Sequence, residues 1–130
     1  GRNVDPATVS DITGVSTAYA AIEHVKSRNG EVIPELATLT CDVPINITFL
    51  DSMNDFTSTL QQYFHSNSIN GQPDAVIGPQ RSSSSIPLSF VSNVDGAPMM
   101  GFSATSAELD NKASHPNFFR TIPSDAATTF

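Results

Sequence analysis

From Val15 onward the apolar positions fall at Val15, Ala18, Tyr19, Ile22 and Val25. That is the i, i+3, i+4, i+7 spacing of one helix face. Residues 1–10 ahead of it are polar and include Pro6, which predicts a loop, with Asp11 as a candidate cap. Asn29-Gly30 predicts the helix stop, and residues 31–42, with Pro34, read as loop. Ile45, Ile47 and Phe49 alternate with Asn46, Thr48 and Leu50, a period of two that predicts a half-buried strand. The run Asp51-Ser52-Met53-Asn54-Asp55 ends it and offers caps for a helix with Phe56, Leu60, Tyr63 and Phe64 on one face. Ser66 to Pro73 is a turn-rich loop.

Ala75-Val76-Ile77 is a short, continuously apolar run, which predicts a strand buried on both faces as parallel sheets require. Gly78-Pro79 stops it. Ser82 to Ser85 opens a further helix, with Ile86, Phe90, Val91 and Val94 as its apolar face. Pro87 suits only a first turn, where its missing N–H has no partner to lose, so the helix should start near Ser83. Gly96-Ala97-Pro98 closes it, and Met99, Met100 and Phe102 predict the next strand. Residues 103–116 read as polar loop with a turn of helix from Ser106. Asn117 to Ile122 reads as a short extended piece, and Pro123-Ser124-Asp125 as a new helix start. The order helix, strand, helix, strand, helix, strand predicts an α/β fold. Its core is an open parallel sheet with helices on both faces, joined by right-handed crossovers.

A chain of 130 residues makes one domain or part of a larger one, and 38% hydrophobic residues against 15% charged is enough for a real core. Six Lys plus Arg against 13 Asp plus Glu give a net charge of −7, with no basic cluster, which argues against nucleic acid as a partner. No run of 18 or more apolar residues is present, so no transmembrane helix is expected within the chain. The start at Gly1-Arg2-Asn3 suggests a trimmed terminus. Cys41 is the sole cysteine, so it is either a buried thiol or half of a bridge to a segment elsewhere, and cysteine spacing supports no metal site.

In open parallel sheets ligands bind at the carboxyl ends of strands. Two segments lie at such ends: Gly78-Pro79-Gln80-Arg81-Ser82-Ser83-Ser84-Ser85 and Phe102-Ser103-Ala104-Thr105-Ser106. The first combines a turn, a helix N-terminus and serine hydroxyls, a setting that favours a carboxylate or phosphate; the plainer account is an N-cap with spare serines. The second supplies hydroxyls and a strand-end carbonyl that suit an ammonium group, or is an ordinary polar loop. No phosphate-loop or nucleophile-turn motif occurs. His24, His65 and His115 lack metal-ligand spacing, and Asp51 and Asp55 read more economically as caps than as a carboxylate pair. Asn46-Ile47-Thr48 is an N-glycosylation acceptor, usable only where Asn46 faces solvent.

Several segments together resemble the receptor-family ligand-binding region, the type I periplasmic-binding-protein-like or Venus flytrap domain. They are Asp74-Ala75-Val76-Ile77-Gly78-Pro79, Ser82-Ser83, Pro98, Phe102-Ser103-Ala104-Thr105-Ser106-Ala107-Glu108-Leu109, and Pro116-Asn117-Phe118-Phe119-Arg120-Thr121-Ile122-Pro123-Ser124-Asp125. Ala20 to Val25 is similar to the family's first helix, and Asp51-Ser52 with Asn54-Asp55 to its second strand end. Members include metabotropic glutamate and GABA(B) receptors, plant glutamate-receptor-like proteins and natriuretic-peptide receptors.

The resemblance implies that residues 1–130 are a partial, flavodoxin-like lobe 1 of a two-lobed extracellular domain. The first strand, lobe 2 and a membrane region would lie outside this chain. It implies that Ser83 holds a ligand carboxylate and that Ser103 and Thr105 help hold the carboxylate and ammonium of a small amino acid. Ser82 and Ala104 lie in the same ligand-contacting stretches. Arg81 stands where the family usually has a small residue, and either adds to anion binding or swings out. Met53 stands where many animal members carry a cysteine. Expected partners are the small ligand, the rest of the receptor, and a second protomer through lobe 1. No cofactor, metal or enzymatic activity is expected. The alternative is a ligand-free assembly module on the same fold, and the discriminating feature is whether polar partners and a membrane segment follow in lobe 2.

Overall fold

Helix α1, Pro6–Lys26, starts earlier than expected, because proline is compatible with a helix's first position. The computed structural model describes residues 6–41 and 44–127; the side chains of residues 6–13, Asp11 among them, lie outside the description. The stop of α1 also differs. Arg28 takes the left-handed conformation at φ 54. Its N–H donates to the Val25 carbonyl at 3.2 Å, while Asn29 N–H donates to the His24 carbonyl at 2.8 Å. These paired bonds close the helix one residue before Asn29-Gly30, by the usual route for orphan carbonyls.

The chain divides into two compact units, Gly1–Ile47 and Thr48–Phe130. In the first, a 3-10 turn at Pro34–Thr38 interrupts the expected loop. Leu36 is the single buried residue there among those described. The expected strand over residues 45–50 does not form: this stretch is neither helix nor strand, and Ile47, Phe49 and Leu50 are exposed. Alternation gives a strand two faces but no neighbour, and among the described residues no β-ladder includes this stretch. Cys41 is exposed, which removes the buried-thiol alternative.

The second unit carries the sheet. Met53 and Asn54 are both left-handed, φ 49 and 52, at the centre of a tight turn closed by Asp55 N–H to the Ser52 carbonyl at 3.0 Å. Asp55 then caps α2, Phe56–Asn70, accepting from Ser58 N–H at 2.8 Å. Helix α2 buries Thr59 and Tyr63, whereas Phe56 and Phe64 of the expected face are exposed. Strands β1 (Val76–Ile77), β2 (Met99–Gly101) and β3 (Phe118–Arg120) form a parallel sheet in the order β1-β2-β3. The fold is thus α/β with an open parallel sheet. As an edge strand, β1 is not buried on both faces within this unit: Val76 is half-buried and Ile77 is exposed.

Helix α3, Ser82–Asp95, lies between β1 and β2 in sequence and packs on α2 and β2. Its buried positions are Ser84, Ser85, Leu88, Ser89 and Ser92, while Phe90 and Val94 of the expected face are exposed. Ser85 Oγ donates to the Pro79 carbonyl at 3.0 Å, Ser89 Oγ to Ile86 at 2.6 Å and Ser92 Oγ to Ser89 at 3.2 Å. A hydroxyl spent on a nearby carbonyl packs as a small side chain, and hydropathy does not register this. Helix and sheet meet over a core of Tyr63, Leu88, Met99, Ala104, Leu109 and Phe118. Gly96, left-handed at φ 75, ends α3 and turns the chain into β2.

Pro87 is the sixth residue of α3, beyond the first turn to which the sequence assigned it. It cannot donate to the Ser83 carbonyl, although Ser83 is exposed and water can reach that oxygen. Restoring the bond with Pro87→Ala should therefore stabilise the unit by about 1–3 kcal/mol, less what proline gains by stiffening the unfolded chain. Urea midpoints measure this; a lowered midpoint would mean that packing of the ring outweighs the missing bond.

Candidate functional site

Both candidate segments lie in the Thr48–Phe130 unit, at the carboxyl ends of β1 and β2. A cis Gly78–Pro79 peptide follows β1, and α3 begins three residues later. The first helical N–H groups of Ser84 and Ser85 turn back to the Arg81 carbonyl at 3.2 and 2.9 Å. Those of Ser82 and Ser83 make no bond among the described residues. They leave the positive end of the helix open.

The structure brings the two segments into contact. Ser106 N–H donates to Ser82 Oγ at 3.1 Å. Ser82, expected to touch ligand, thus spends its hydroxyl on holding the loop after β2. Ser83, Ser103 and Thr105 carry hydroxyls without partners among the described residues; Ser83 is exposed, the other two half-buried. Ala104 is fully buried in the core, so its side chain is not available to a ligand. Arg81 Nε donates to Asn54 Oδ1 at 3.0 Å, on the turn before α2.

Three consecutive carbonyls of the loop hold internal donors. Arg120 Nη1 donates to the Ala104 and Ser106 carbonyls, both at 3.2 Å, and Asp125 N–H donates to the Thr105 carbonyl at 2.9 Å. Arg120 Nη2 pairs with the Asp110 carboxylate, whose other oxygen accepts from Ser124 Oγ at 2.5 Å. The carbonyls of residues 104–106 thus each hold an internal donor, while the Ser103 and Thr105 hydroxyls have no partner among the described residues. Ser106 caps the 3-10 turn Ala107–Asp110 by accepting from Glu108 N–H at 3.3 Å.

Sequence reasoning missed two polar groups here. Arg120 lay inside the matching Phe118-Phe119-Arg120-Thr121 stretch without a role. His115 is 1% exposed, with Nδ1 at 2.6 Å from Ser89 Oγ and its Nε2 buried without a partner. Its lack of metal-ligand spacing said nothing about burial. Elsewhere, Asp95 gathers Tyr63 Oη at 2.7 Å, Asn67 Nδ2 at 3.3 Å and Gln72 Nε2 at 3.2 Å, tying α2 to the end of α3. A pocket in the other unit, lined by Val25, Lys26, Arg28, Leu39, Cys41, Pro44 and Ile45, contains none of the expected ligand residues. Asn46 is exposed on the stretch that is neither helix nor strand. Among the described residues no helix is long and apolar enough to cross a membrane.

In open parallel α/β sheets, loops at the carboxyl ends of strands are where ligand-binding groups usually lie. Residues 16–129 match the family model of the receptor family ligand binding region, and the chain belongs to that family. It is 29% identical over 129 residues to G-protein coupled receptor family C group 6 member A of Carassius auratus, covering 89% of this chain and 14% of that protein. It is 30% identical over 95 residues to taste receptor type 1 member 2 of Mus musculus, covering 73% of this chain and 11% of that protein. The chain therefore spans well under a fifth of the curated relatives it matches. The family and both relatives are receptors, and the chain is a receptor ligand-binding region.

Proposed function

We propose that this chain is part of lobe 1 of a two-lobed extracellular domain that closes on a small amino acid or related anion. In this reading the Ser83 hydroxyl and the open N–H groups of Ser82 and Ser83 take the ligand carboxylate, and the Ser103 and Thr105 hydroxyls take its polar or ammonium end. The supporting observation is the Ser82–Ser106 bond, which joins a helix N-terminus with open donors to a loop bearing two free hydroxyls. Lobe 2 supplies the opposing contacts, and ligand shifts the population toward the closed form. The receptor is held on the extracellular face of a membrane by segments outside this chain, with a second protomer through lobe 1 as a further partner. The exposed Asn46 suits glycosylation there, and the chain itself performs no chemistry.

Calorimetric titration of the receptor ectodomain with glycine, L-alanine, L-serine, L-glutamate and L-arginine tests the reading. Ser83→Ala combined with Thr105→Ala removes two hydrogen bonds to charged ligand groups, about 3 kcal/mol or more, so affinity should fall roughly a hundredfold or beyond. The second reading, an assembly module without ligand, draws on the loop carbonyls and the Ser82 hydroxyl being spent internally. Well-folded ectodomain that gives no heat with any of the five would favour it.

A further inference from the structure

Thr105 sits between two carbonyls held by one side chain. Arg120 reaches from the end of β3 with its guanidinium nearly buried, the side chain 10% exposed. Nη1 spans the Ala104 and Ser106 carbonyls at 3.2 Å each, and Nη2 is fixed by Asp110. Asp110 is held in turn by Ser124 Oγ at 2.5 Å. Further backbone anchors on the loop are Ser106 N–H donating to Ser82 Oγ at 3.1 Å, Asp125 N–H to the Thr105 carbonyl at 2.9 Å and Leu109 N–H to the Ser106 carbonyl at 3.3 Å.

We propose that Arg120 is the positioning residue of the ligand-facing loop: by clamping the carbonyls on either side of Thr105 it fixes the direction of the Thr105 hydroxyl without touching ligand. This rests on the ligand-binding reading above. Three points of physical chemistry carry it. The donors of Arg120 named above are occupied, so it is poorly placed to serve as a free cation for an anion. A planar guanidinium can bridge two carbonyls and a carboxylate at once, while an ammonium is a point charge on a flexible stem. Fixing a binding group before the ligand arrives removes an ordering cost that would otherwise weaken affinity. Asp110 and Ser124 form the outer support of the clamp, so the rigidity of one loop depends on side chains from the 3-10 turn, β3 and the segment after it.

The experiment pairs hydrogen exchange with calorimetry on the receptor ectodomain, using the amino acid of the five-member panel that the wild type binds most tightly. Arg120→Lys should raise amide exchange across residues 103–106 while leaving β2 at 99–101 protected. It should also lose roughly tenfold in affinity, the size of one charge-assisted hydrogen bond. Arg120→Met should lose more, so that lysine counts as a partial rescue. Should the position-120 variants fail to fold, Asp110→Asn serves, since that side chain is 48% exposed; it should give a smaller change of the same kind. Variants that bind like the wild type, with exchange at 103–106 unchanged, would overturn the positioning role alone. So would affinity lost only in proportion to a general fall in protection that includes β2. A wild type that binds none of the five ligands, while the loop exchange still responds to Arg120, would instead remove the ligand-binding reading and with it the clamp's role in binding.

Discussion

Gly101→Ala should destabilise the Thr48–Phe130 unit by about 1–3 kcal/mol, the usual cost of forcing an extra methyl into a packed core. A Cβ at Gly101 would stand 2.7 Å from Phe118 Cζ and 3.1 Å from Cε2. The ring cannot easily yield, because Phe118 is 2% exposed and lies in the core with Met99 and Leu109. The close approach follows from register. Gly101 lies opposite Arg120 and Met99 opposite Phe118, so Gly101 and Phe118 are diagonal neighbours across β2 and β3. Phe118→Ala should cost more, about 3–5 kcal/mol, through lost burial and the cavity left behind. In the double variant the alanine at 101 finds the space the ring vacated, so the double variant should cost less than the two single costs added together. Urea unfolding of the four proteins measures the cycle. A Gly101→Ala protein as stable as the wild type, or strict additivity, would show that the ring is not the obstacle.

Acidification should loosen the same unit through His115. Ser89 Oγ donates its proton to the Ile86 carbonyl at 2.6 Å, so at 2.6 Å from His115 it must accept. The neutral imidazole therefore carries its proton on Nδ1 and leaves Nε2 as a buried acceptor without a partner among the described residues. The ring also packs at a tilt of 46° against Phe90, centroids 4.6 Å apart. Burial disfavours the charged imidazolium and holds the pKa below the ordinary 6.5, with Glu108 opposing and Lys112 reinforcing the shift. Because the folded value lies below the unfolded one, the unfolded chain takes up the proton first. Stability is then fully present above pH ~6.5 and falls as pH drops below that toward the folded value, by at most about 1.4 kcal/mol per unit for one proton. Asp55, whose capped carboxylate is held below 3.8 by Ser58, acts only at much lower pH and stays outside this window. Urea midpoints between pH 7.5 and 5.5 should decline in the wild type and flatten in His115→Gln. Ser89→Ala should cost about 1–3 kcal/mol already at pH 7.5, since it strands a buried donor. Parallel pH curves for wild type and His115→Gln would sink the assignment.

The elements whose type was legible in the sequence are those defined by local chemistry. Asp55 capping α2, Gly96 ending α3 and Ser106 opening a turn all follow from side-chain reach and backbone preference. The short apolar runs at Val76-Ile77 and Met99-Met100 became strands because they are bounded by glycine and proline. The strand predicted at residues 45–50 did not form, because a strand needs a neighbouring strand that no local pattern can supply. The face of α3 was misread because four buried serines on it look polar in sequence, although three of them spend their hydroxyls on nearby carbonyls.

Taken alone, the sequence determined the α/β class, the receptor family and the two strand-end segments that form the candidate site, since motif spacing and strand boundaries are local. Only the tertiary structure decided which groups in those segments remain free. Ser82 lost its hydroxyl to Ser106, Arg81 turned to Asn54, Ala104 entered the core, and Arg120 from a strand 14 residues beyond Ser106 took the loop carbonyls. Hydrogen bonds are exclusive and depend on approach in space, so the choice among polar side chains waits until distant segments meet.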